Sequence, residues 1–183
     1  MGKAIRGGTA MRSILLISLM LALVACTGVP QGVTPVRFEP SRYMGEWYSI
    51  ARLDHAFERG LTNVSAIYGL KTDGTVSVRN RGFDRARCSW KEIEGSAQLQ
   101  GPSDVASLSV SFFPLLSGGY HVIKLDPNYQ WAMVAGPTRG YLWILARKPV
   151  LDAKVTARLV EEARALGFAT HELVMVDQSK PNC

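Results

Sequence analysis

The sequence predicts an all-β protein: an eight-stranded antiparallel up-and-down β-barrel followed by one C-terminal α-helix and a short final strand. Between about residues 45 and 147, eight short apolar segments follow one another, joined mostly by tight turns. One segment with helical spacing comes after them. A sheet of hairpin-linked strands leaves its edges exposed, whereas a closed barrel has no edges, so closure is the expected arrangement.

Residues 1–25 are predicted to be a secretion signal that is cleaved off. Residues 14–25 carry no charge, and three basic residues precede them: Lys3, Arg6 and Arg12. A basic start followed by a short apolar stretch is typical of a signal peptide. A helix of this length rises only about 18 Å, which is too short for a hydrocarbon core of about 30 Å. Translation starting at Met1 or at Met11 fits this pattern equally well.

The signal ends in Leu-Val-Ala-Cys at residues 23–26, which resembles the bacterial lipobox. The resemblance implies that the Cys26 thiol takes a diacylglycerol, and that the chain is cut before it and acylated at the new amino group. Three acyl chains anchor firmly, whereas one anchors only marginally. Because Thr27 stands where retention at the inner membrane usually uses Asp, the expected location is the outer membrane, facing the periplasm. An ordinary signal peptide with an unrelated cysteine is the alternative.

The charge balance of the mature chain is mild. The whole sequence has a net charge of +6, but the signal holds three basic and no acidic residues, so 18 basic and 15 acidic residues remain. No run of Lys and Arg interleaved with aromatic residues occurs either. These features argue against nucleic acid as a partner.

Two cysteines, Cys88 and Cys183, remain once Cys26 is acylated. An even number of cysteines in an oxidising compartment is typical of a disulfide. Such a bond would pin the C-terminal tail to the barrel wall and contribute roughly 4–5 kcal/mol in the chain-entropy model. Two unpaired thiols are the alternative. Neither cysteine has the spacing of a metal ligand, and no metal or other cofactor is predicted.

Residues 27–37 contain two prolines and two glycines and are predicted to be a flexible tether between the lipid and the domain. The chain thus divides into a signal (1–25), an acylated cysteine with its tether (26–37) and a folded domain (38–183).

Alternation of side chains indicates individual strands within this domain. Residues 106–112 alternate apolar residues with serine, and Val76 and Val78 alternate with polar neighbours. Turns are predicted where Gly, Pro, Asn and Asp gather, at residues 73–74, 118–119, 126–128 and 137–140.

The helix is predicted to begin after Asp152, a residue type that caps helix N-termini, and to end at Gly167. Its apolar residues share one face: Val155, Leu159, Ala163 and Leu166. A final strand is predicted at residues 173–176.

Three short motifs indicate a family. Gly45 and Trp47 form a G-x-W pattern on the first strand, Asp126 and Tyr129 precede the seventh strand, and Arg147 ends the eighth. In this order they resemble the three signatures of the lipocalins. Longer strings resemble the bacterial outer-membrane lipocalins, at residues 45–52, 57–61 and 141–147, and the similarity spans about residues 37–178.

The resemblance implies a lipocalin calyx. In this family the tryptophan plugs the closed end of the barrel and the arginine lies over its ring, so Trp47 and Arg147 are expected to serve the fold rather than a ligand.

The resemblance also implies fatty acids or lysophospholipids as cargo, and each buried methylene would contribute roughly 0.8 kcal/mol. The candidate ligand contacts are large strand residues: Trp143, Tyr68, Phe83, Leu108, Val110, Phe112, Tyr120 and Trp131. Only some of them can face inward, since successive side chains alternate. Trp143 is the first choice because it shares a predicted strand face with Arg147 and lies nearer the open end. Basic candidates for the headgroup are Arg52, His55, Arg59 and Arg79.

The sequence favours a binding protein over an enzyme. It has three histidines and neither a G-x-S-x-G nor an H-E-x-x-H motif. An enzyme with a lipocalin fold and a structural envelope lipoprotein without cargo are the alternatives. Monomer and homodimer both stay open.

Overall fold

The computed structural model describes residues 27–181 and residue 183, and its centre is an antiparallel barrel of eight strands. These are β1 (Gly45–Arg52), β2 (Leu61–Leu70), β3 (Val76–Asp84), β4 (Ser89–Leu99), β5 (Ser107–Phe113), β6 (Leu116–Leu125), β7 (Trp131–Ala135) and β8 (Leu142–Ala146). Each strand pairs with the next, and β1 pairs with both β2 and β8, which closes the barrel. The predicted up-and-down barrel is confirmed.

Up-and-down order places alternate loops at the same end. The β1–β2, β3–β4, β5–β6 and β7–β8 loops lie at one end, called here the open end. The other loops and the entrance to β1 lie at the closed end. A one-turn helix, α1 (Pro40–Tyr43), precedes β1 there and was not predicted. Its Tyr43 ring stacks on Trp47, with ring centroids 4.7 Å apart.

A single long helix, α2 (Ala153–Ala165), follows the barrel as predicted. The Asp152 carboxylate accepts hydrogen bonds from the backbone N–H groups of the first turn, at 2.9 and 3.1 Å. Gly167 ends the helix with a φ of +83°. The chain then forms a 3₁₀ turn (Thr170–Glu172) and β9 (Val174–Met175), which pairs with β1. Among the described residues, no helix has the length and apolar character needed to cross a membrane.

The predicted turn at Gly118 and Gly119 is wrong. Both glycines lie inside β6, opposite Val110 and Ser109, and the chain reverses at residues 114–115 instead. Gly119 serves close packing: a Cβ there would sit 3.0 Å from the Thr27 carbonyl oxygen. Gly119 thus marks the place where another segment approaches the strand, whereas a Cβ at Gly118 would meet open space.

That crossing segment is residues 27–37, predicted to be a flexible tether. The structure seats it on the barrel instead. The Val36 N–H donates to the Val122 carbonyl at 2.8 Å, and the Gly28 carbonyl lies 3.0 Å from His121 Nε2. Val33 is only 8% exposed. From Thr27 to Arg37 the segment runs along the outer face of β6, from the open-end side toward the closed end.

The disulfide between Cys88 and Cys183 is present, with Cα atoms 5.7 Å apart. It ties the C-terminal tail to the β3–β4 loop at the open end. Asp177 in the tail also pairs with Arg85, and the Asn63 side-chain amide donates to the Ser179 carbonyl at 2.6 Å. The tail is therefore held along the outside of β2 and β3.

Candidate ligand site in the barrel interior

The inner face of the barrel gathers six of the eight predicted ligand contacts into one cluster. They are Tyr68, Leu108, Val110, Phe112, Tyr120 and Trp143. Each lies on a strand position whose side chain points inward, so alternation along the strand brings them together.

The other two face outward. Trp131 packs in a second cluster beneath α2, where the Arg158 guanidinium lies 5.3 Å from its ring centroid. Phe83 lies on the outer face of β3, and its ring meets Trp90 edge-on at 5.4 Å. The prediction that these two residues face the interior is wrong. Helix α2 covers the outer face of β7, and Phe83 is buried on the outer face of β3. An apolar side chain on these strands therefore does not show that its position faces the barrel interior.

Three tyrosines meet in the middle of the apolar cluster. The Tyr120 hydroxyl lies 2.8 Å from that of Tyr43 and 3.1 Å from that of Tyr68. Burial raises the pKa of all three phenols, that of Tyr68 to about 12, so they stay neutral at physiological pH. The hydroxyls satisfy one another, which leaves the surrounding surface effectively apolar.

Side chains fill the closed-end half of the interior. The cavity left there is about 10 Å³, roughly the room that one water molecule needs. Its lining is apolar or aromatic and includes Phe38, Met44, Tyr68, Leu108 and Tyr120. An acyl chain entering this half would have to move some of these side chains aside.

The open-end half of the interior carries a buried ion pair. Arg52 is 2% exposed, and its Nε lies 3.5 Å from the Glu58 carboxylate. Trp143 Nε1 donates to that carboxylate at 3.0 Å, and Arg52 Nη2 donates to the Glu58 carbonyl at 2.8 Å. A register shift between Ser49 and Ala51 in β1 turns Arg52 inward, opposite Trp143.

Of the three arginines among the headgroup candidates, only Arg52 reaches the interior. Arg59 is exposed and pairs with Asp54 at 2.6 Å, while Arg79 is half exposed and faces Glu92 at 3.8 Å. The sequence analysis did not identify Glu58 or its ion pair with Arg52. The pairing depends on the register shift that turns Arg52 inward, and the amino-acid sequence of β1 does not reveal this shift.

The β1–β2 loop folds across the open end. The His55 ring stacks on Tyr141 at 4.5 Å and on Phe57 at 5.4 Å, and lies 5.1 Å from Trp143. Burial lowers the pKa of His55, which favours its neutral form. The β1–β2 loop therefore separates the barrel interior from the solvent at the open end.

Four buried side-chain atoms in the barrel and its open-end loop make no hydrogen bond within the protein: Ser49 Oγ, His55 Nε2, Asn80 Oδ1 and Arg52 Nε. Of these, Arg52 Nε still faces the Glu58 carboxylate as an ion pair at 3.5 Å. Buried polar groups without partners are costly and uncommon, at about 1–3 kcal/mol each. Together with the Glu58 carboxylate, they make this half of the interior suited to the polar end of an amphiphile.

Glu58 predicts a pH dependence of stability. Burial raises its pKa above the ordinary 4.5, against the opposing effects of the Trp143 hydrogen bond and of Arg52. The folded state then holds this proton more tightly than the unfolded state, so this contribution to stability is present below about pH 4.5 and is lost as pH rises through the raised value.

We therefore expect a Glu58→Gln variant, which keeps an acceptor for Trp143, to gain stability relative to the wild type as pH rises through this window. Urea unfolding of both proteins at a series of pH values from about 4 to about 8 measures the difference in the free energy of unfolding. This range begins near the ordinary pKa of a glutamate and extends over the values to which burial raises it. A difference that stays constant with pH would contradict the assignment.

The G-x-W motif and the arginine that ends β8 lie together at the closed end. The Arg147 guanidinium lies 4.0 Å above the Trp47 ring and donates to the carbonyls of Arg42 and Glu46, at 2.8 and 2.9 Å. Gly45 has a φ of +93°, and a Cβ there would sit 3.3 Å from the arginine, so glycine permits the close approach. This arrangement closes the barrel and leaves no face of Trp47 for a ligand.

The second signature shapes the β6–β7 loop. The Asp126 carboxylate accepts hydrogen bonds from the N–H groups of Asn128 and Gln130, at 3.0 and 3.1 Å. Tyr129 in the same loop accepts one at its hydroxyl from the Glu39 N–H, at 2.8 Å. Both residues fix the closed end rather than line the interior.

Comparison with known proteins identifies relatives over most of the chain. A family model described as a lipocalin-like domain matches residues 38–178. The outer membrane lipoprotein Blc of Vibrio cholerae is 44% identical over 170 residues, covering 92% of this chain and 99% of that protein. The protein of the same name from Escherichia coli K12 is 45% identical over 159 residues, covering 85% and 90%.

Solved structures with much lower identity share the fold. Insecticyanin from the tobacco hornworm Manduca sexta superimposes with a TM-score of 0.67 at 18% identity, covering 84% of this chain and 88% of that one. Lobster apocrustacyanin A1 gives a TM-score of 0.63 at 14% identity, covering 83% and 94%.

Proposed function

The chain belongs to the lipocalin family, and from this premise we propose that it is a lipid-binding lipoprotein of the outer membrane. It stores or transports fatty acids or lysophospholipids within its barrel and faces the periplasm. Maintenance or repair of the membrane is the role that such cargo suits.

The division of the interior into two halves carries this proposal. The closed-end half is apolar, while the open-end half holds Arg52, Glu58 and polar atoms without partners. An amphiphile with one acyl chain matches the two halves in polarity, and its chain would displace side chains that fill the closed-end half. Its chain lies against Leu108, Val110 and Phe112, and its polar end lies near the open end. Trp143 contacts both halves, since its ring packs in the cluster while its N–H binds Glu58.

The membrane anchor rests on a different part of the chain. Cys26 and the signal before it lie outside the described residues. The proposal that Cys26 is acylated is supported by the Leu-Val-Ala-Cys sequence and by the similarity to proteins named outer membrane lipoproteins, which reaches 92% of this chain.

Binding is favoured over hydrolysis by the surroundings of the buried histidine. His121 Nδ1 lies 2.9 Å from the Ser107 hydroxyl, a spacing that a nucleophile and its base would also show. The other ring nitrogen meets the Gly28 carbonyl rather than a carboxylate, and His121 is fully buried beneath the N-terminal segment. A substrate has no access to this pair.

Native mass spectrometry of residues 27–183, expressed into the periplasm and purified without detergent, tests the cargo. We expect an added mass equal to a fatty acid or a lysophospholipid. Trp143→Ala should lower the bound fraction because it removes an interior surface and the Glu58 hydrogen bond. Trp90→Ala, which changes the outer face of β4, is the matched control and should keep the cargo.

A chain that is empty, and that also stays empty after incubation with oleate and lysophosphatidylethanolamine, would contradict the carrier proposal. The structural lipoprotein would then be the better description.

A further inference from the structure

The open end carries a set of exposed apolar side chains, called here the apolar rim. Its members are Phe57, Phe113, Leu115, Leu116 and Tyr141. They come from the β1–β2, β5–β6 and β7–β8 loops or the strand positions beside them, which the up-and-down order brings to the same end. Several exposed apolar side chains gathered at one end of a protein indicate an interaction site.

The β5–β6 turn projects farthest of these. Leu115 is 100% exposed, and its neighbours Phe113 and Leu116 are more than half exposed. Leu115 also has a φ of +66°, in the left-handed region that a branched apolar residue rarely adopts. Neither burial in the protein nor backbone preference accounts for leucine at this tip.

The N-terminal segment leads to the same end of the molecule. It passes Val122 at Val36 and reaches Gly119 at Thr27. Gly119 lies three residues from Leu116, which is about 10 Å along a strand. Cys26 directly precedes Thr27 in the sequence.

We propose that the apolar rim docks into the phospholipid bilayer that holds the acylated Cys26, so that the open end of the barrel faces the membrane. This inference rests on the acylation in the proposed function. Thr27, the residue that follows the anchor, lies toward the same end as the rim, and an acyl chain and the rim favour the same apolar environment, so one orientation satisfies both.

This orientation gives the rim a role in transfer. The β1–β2 loop, whose Glu58 binds Arg52 and Trp143, carries Phe57 at the membrane side. A single-chain lipid then passes between bilayer and barrel without crossing bulk water. Its polar end meets the buried ion pair directly inside the opening.

A fluorescent label at the rim tests the orientation. The mature lipoprotein is reconstituted into vesicles of phosphatidylethanolamine and phosphatidylglycerol, with Leu115→Cys as its free thiol, since Cys88 and Cys183 form a disulfide. Val150→Cys is the matched control, because Val150 is 79% exposed and follows the closed-end terminus of β8. We expect lipids with brominated acyl chains to quench the label at 115 severalfold more than the label at 150.

Equal, weak quenching at both positions overturns the inference. The intact mass of the same protein shows whether Cys26 is acylated, which separates a failure of the anchor from a failure of the rim. Burial of the label at 115 without lipid quenching, in a protein that sediments as a dimer, would assign the rim to a second copy and also overturn the inference.

A second arm removes the anchor altogether. A chain beginning at Thr27 contains every described residue, and we expect Leu115→Ser with Leu116→Ser to lower its flotation with vesicles severalfold. Val150→Ser should leave flotation unchanged. Equal flotation of the rim variant and the parent chain overturns the inference.

Discussion

Replacing Trp47 with alanine is expected to lower the free energy of unfolding by about 3–5 kcal/mol, the usual cost of deleting a large buried aromatic side chain. The ring is fully buried, stacks on Tyr43 and lies beneath Arg147. Its Nε1 donates to the Tyr43 carbonyl at 2.8 Å. The substitution therefore removes packing, a hydrogen bond and the surface against which a cation rests.

Urea unfolding followed by circular dichroism measures this change. Trp90→Ala is the control, since Trp90 is 43% exposed and also has an arginine over its ring. A loss of no more than about 1 kcal/mol is expected there, as for an exposed cation–π contact. If the two variants lose similar stability, the closed end is not held by the Trp47 and Arg147 pair.

Removing the disulfide is expected to have the second large effect. Cys88→Ser combined with Cys183→Ser should lower the free energy of unfolding by roughly 4–5 kcal/mol, because the bond constrains an unfolded chain over a long loop. The two residues are 95 apart in sequence. The native tail keeps its contacts through Asp177 and Ser179, so the folded barrel should stay intact.

Urea unfolding of the double variant and of the wild type, with and without reductant, measures this effect. The reduced wild type should match the double variant, and reductant should leave the variant unchanged. A wild type whose unfolding midpoint does not respond to complete reduction would contradict the expected stabilisation.

Local sequence signals predicted most of the fold. Alternation along residues 106–112 and the cap at Asp152 each depend on the immediate chain, and both gave the correct element. The failures depend on distant packing. The pair Gly118 and Gly119 is a turn signal by composition, yet both residues lie within β6, where Gly119 leaves room for the His121 ring and for Thr27 of the N-terminal segment.

The candidate site was predictable only in part, because it too depends on packing between residues that are distant in sequence. Period-two alternation divides a strand into two faces but does not say which face is inside when both are buried. Trp131 and Phe83 are therefore as apolar as true interior residues. The ion pair of Arg52 and Glu58 depends on a register shift in β1 and on a loop folded back into the barrel, and neither leaves a mark in the sequence.

The segment that lies along β6 limits how far the domain can travel. Eleven residues in extended form would span about 36–40 Å, enough to carry a barrel well away from its lipid. With Val33 buried and Val36 bonded to Val122, that length is taken up on the protein's own surface. Under the proposed acylation of Cys26, the barrel would stay close to the leaflet that holds its lipid anchor. A more distant donor or acceptor of lipid would have to come to it.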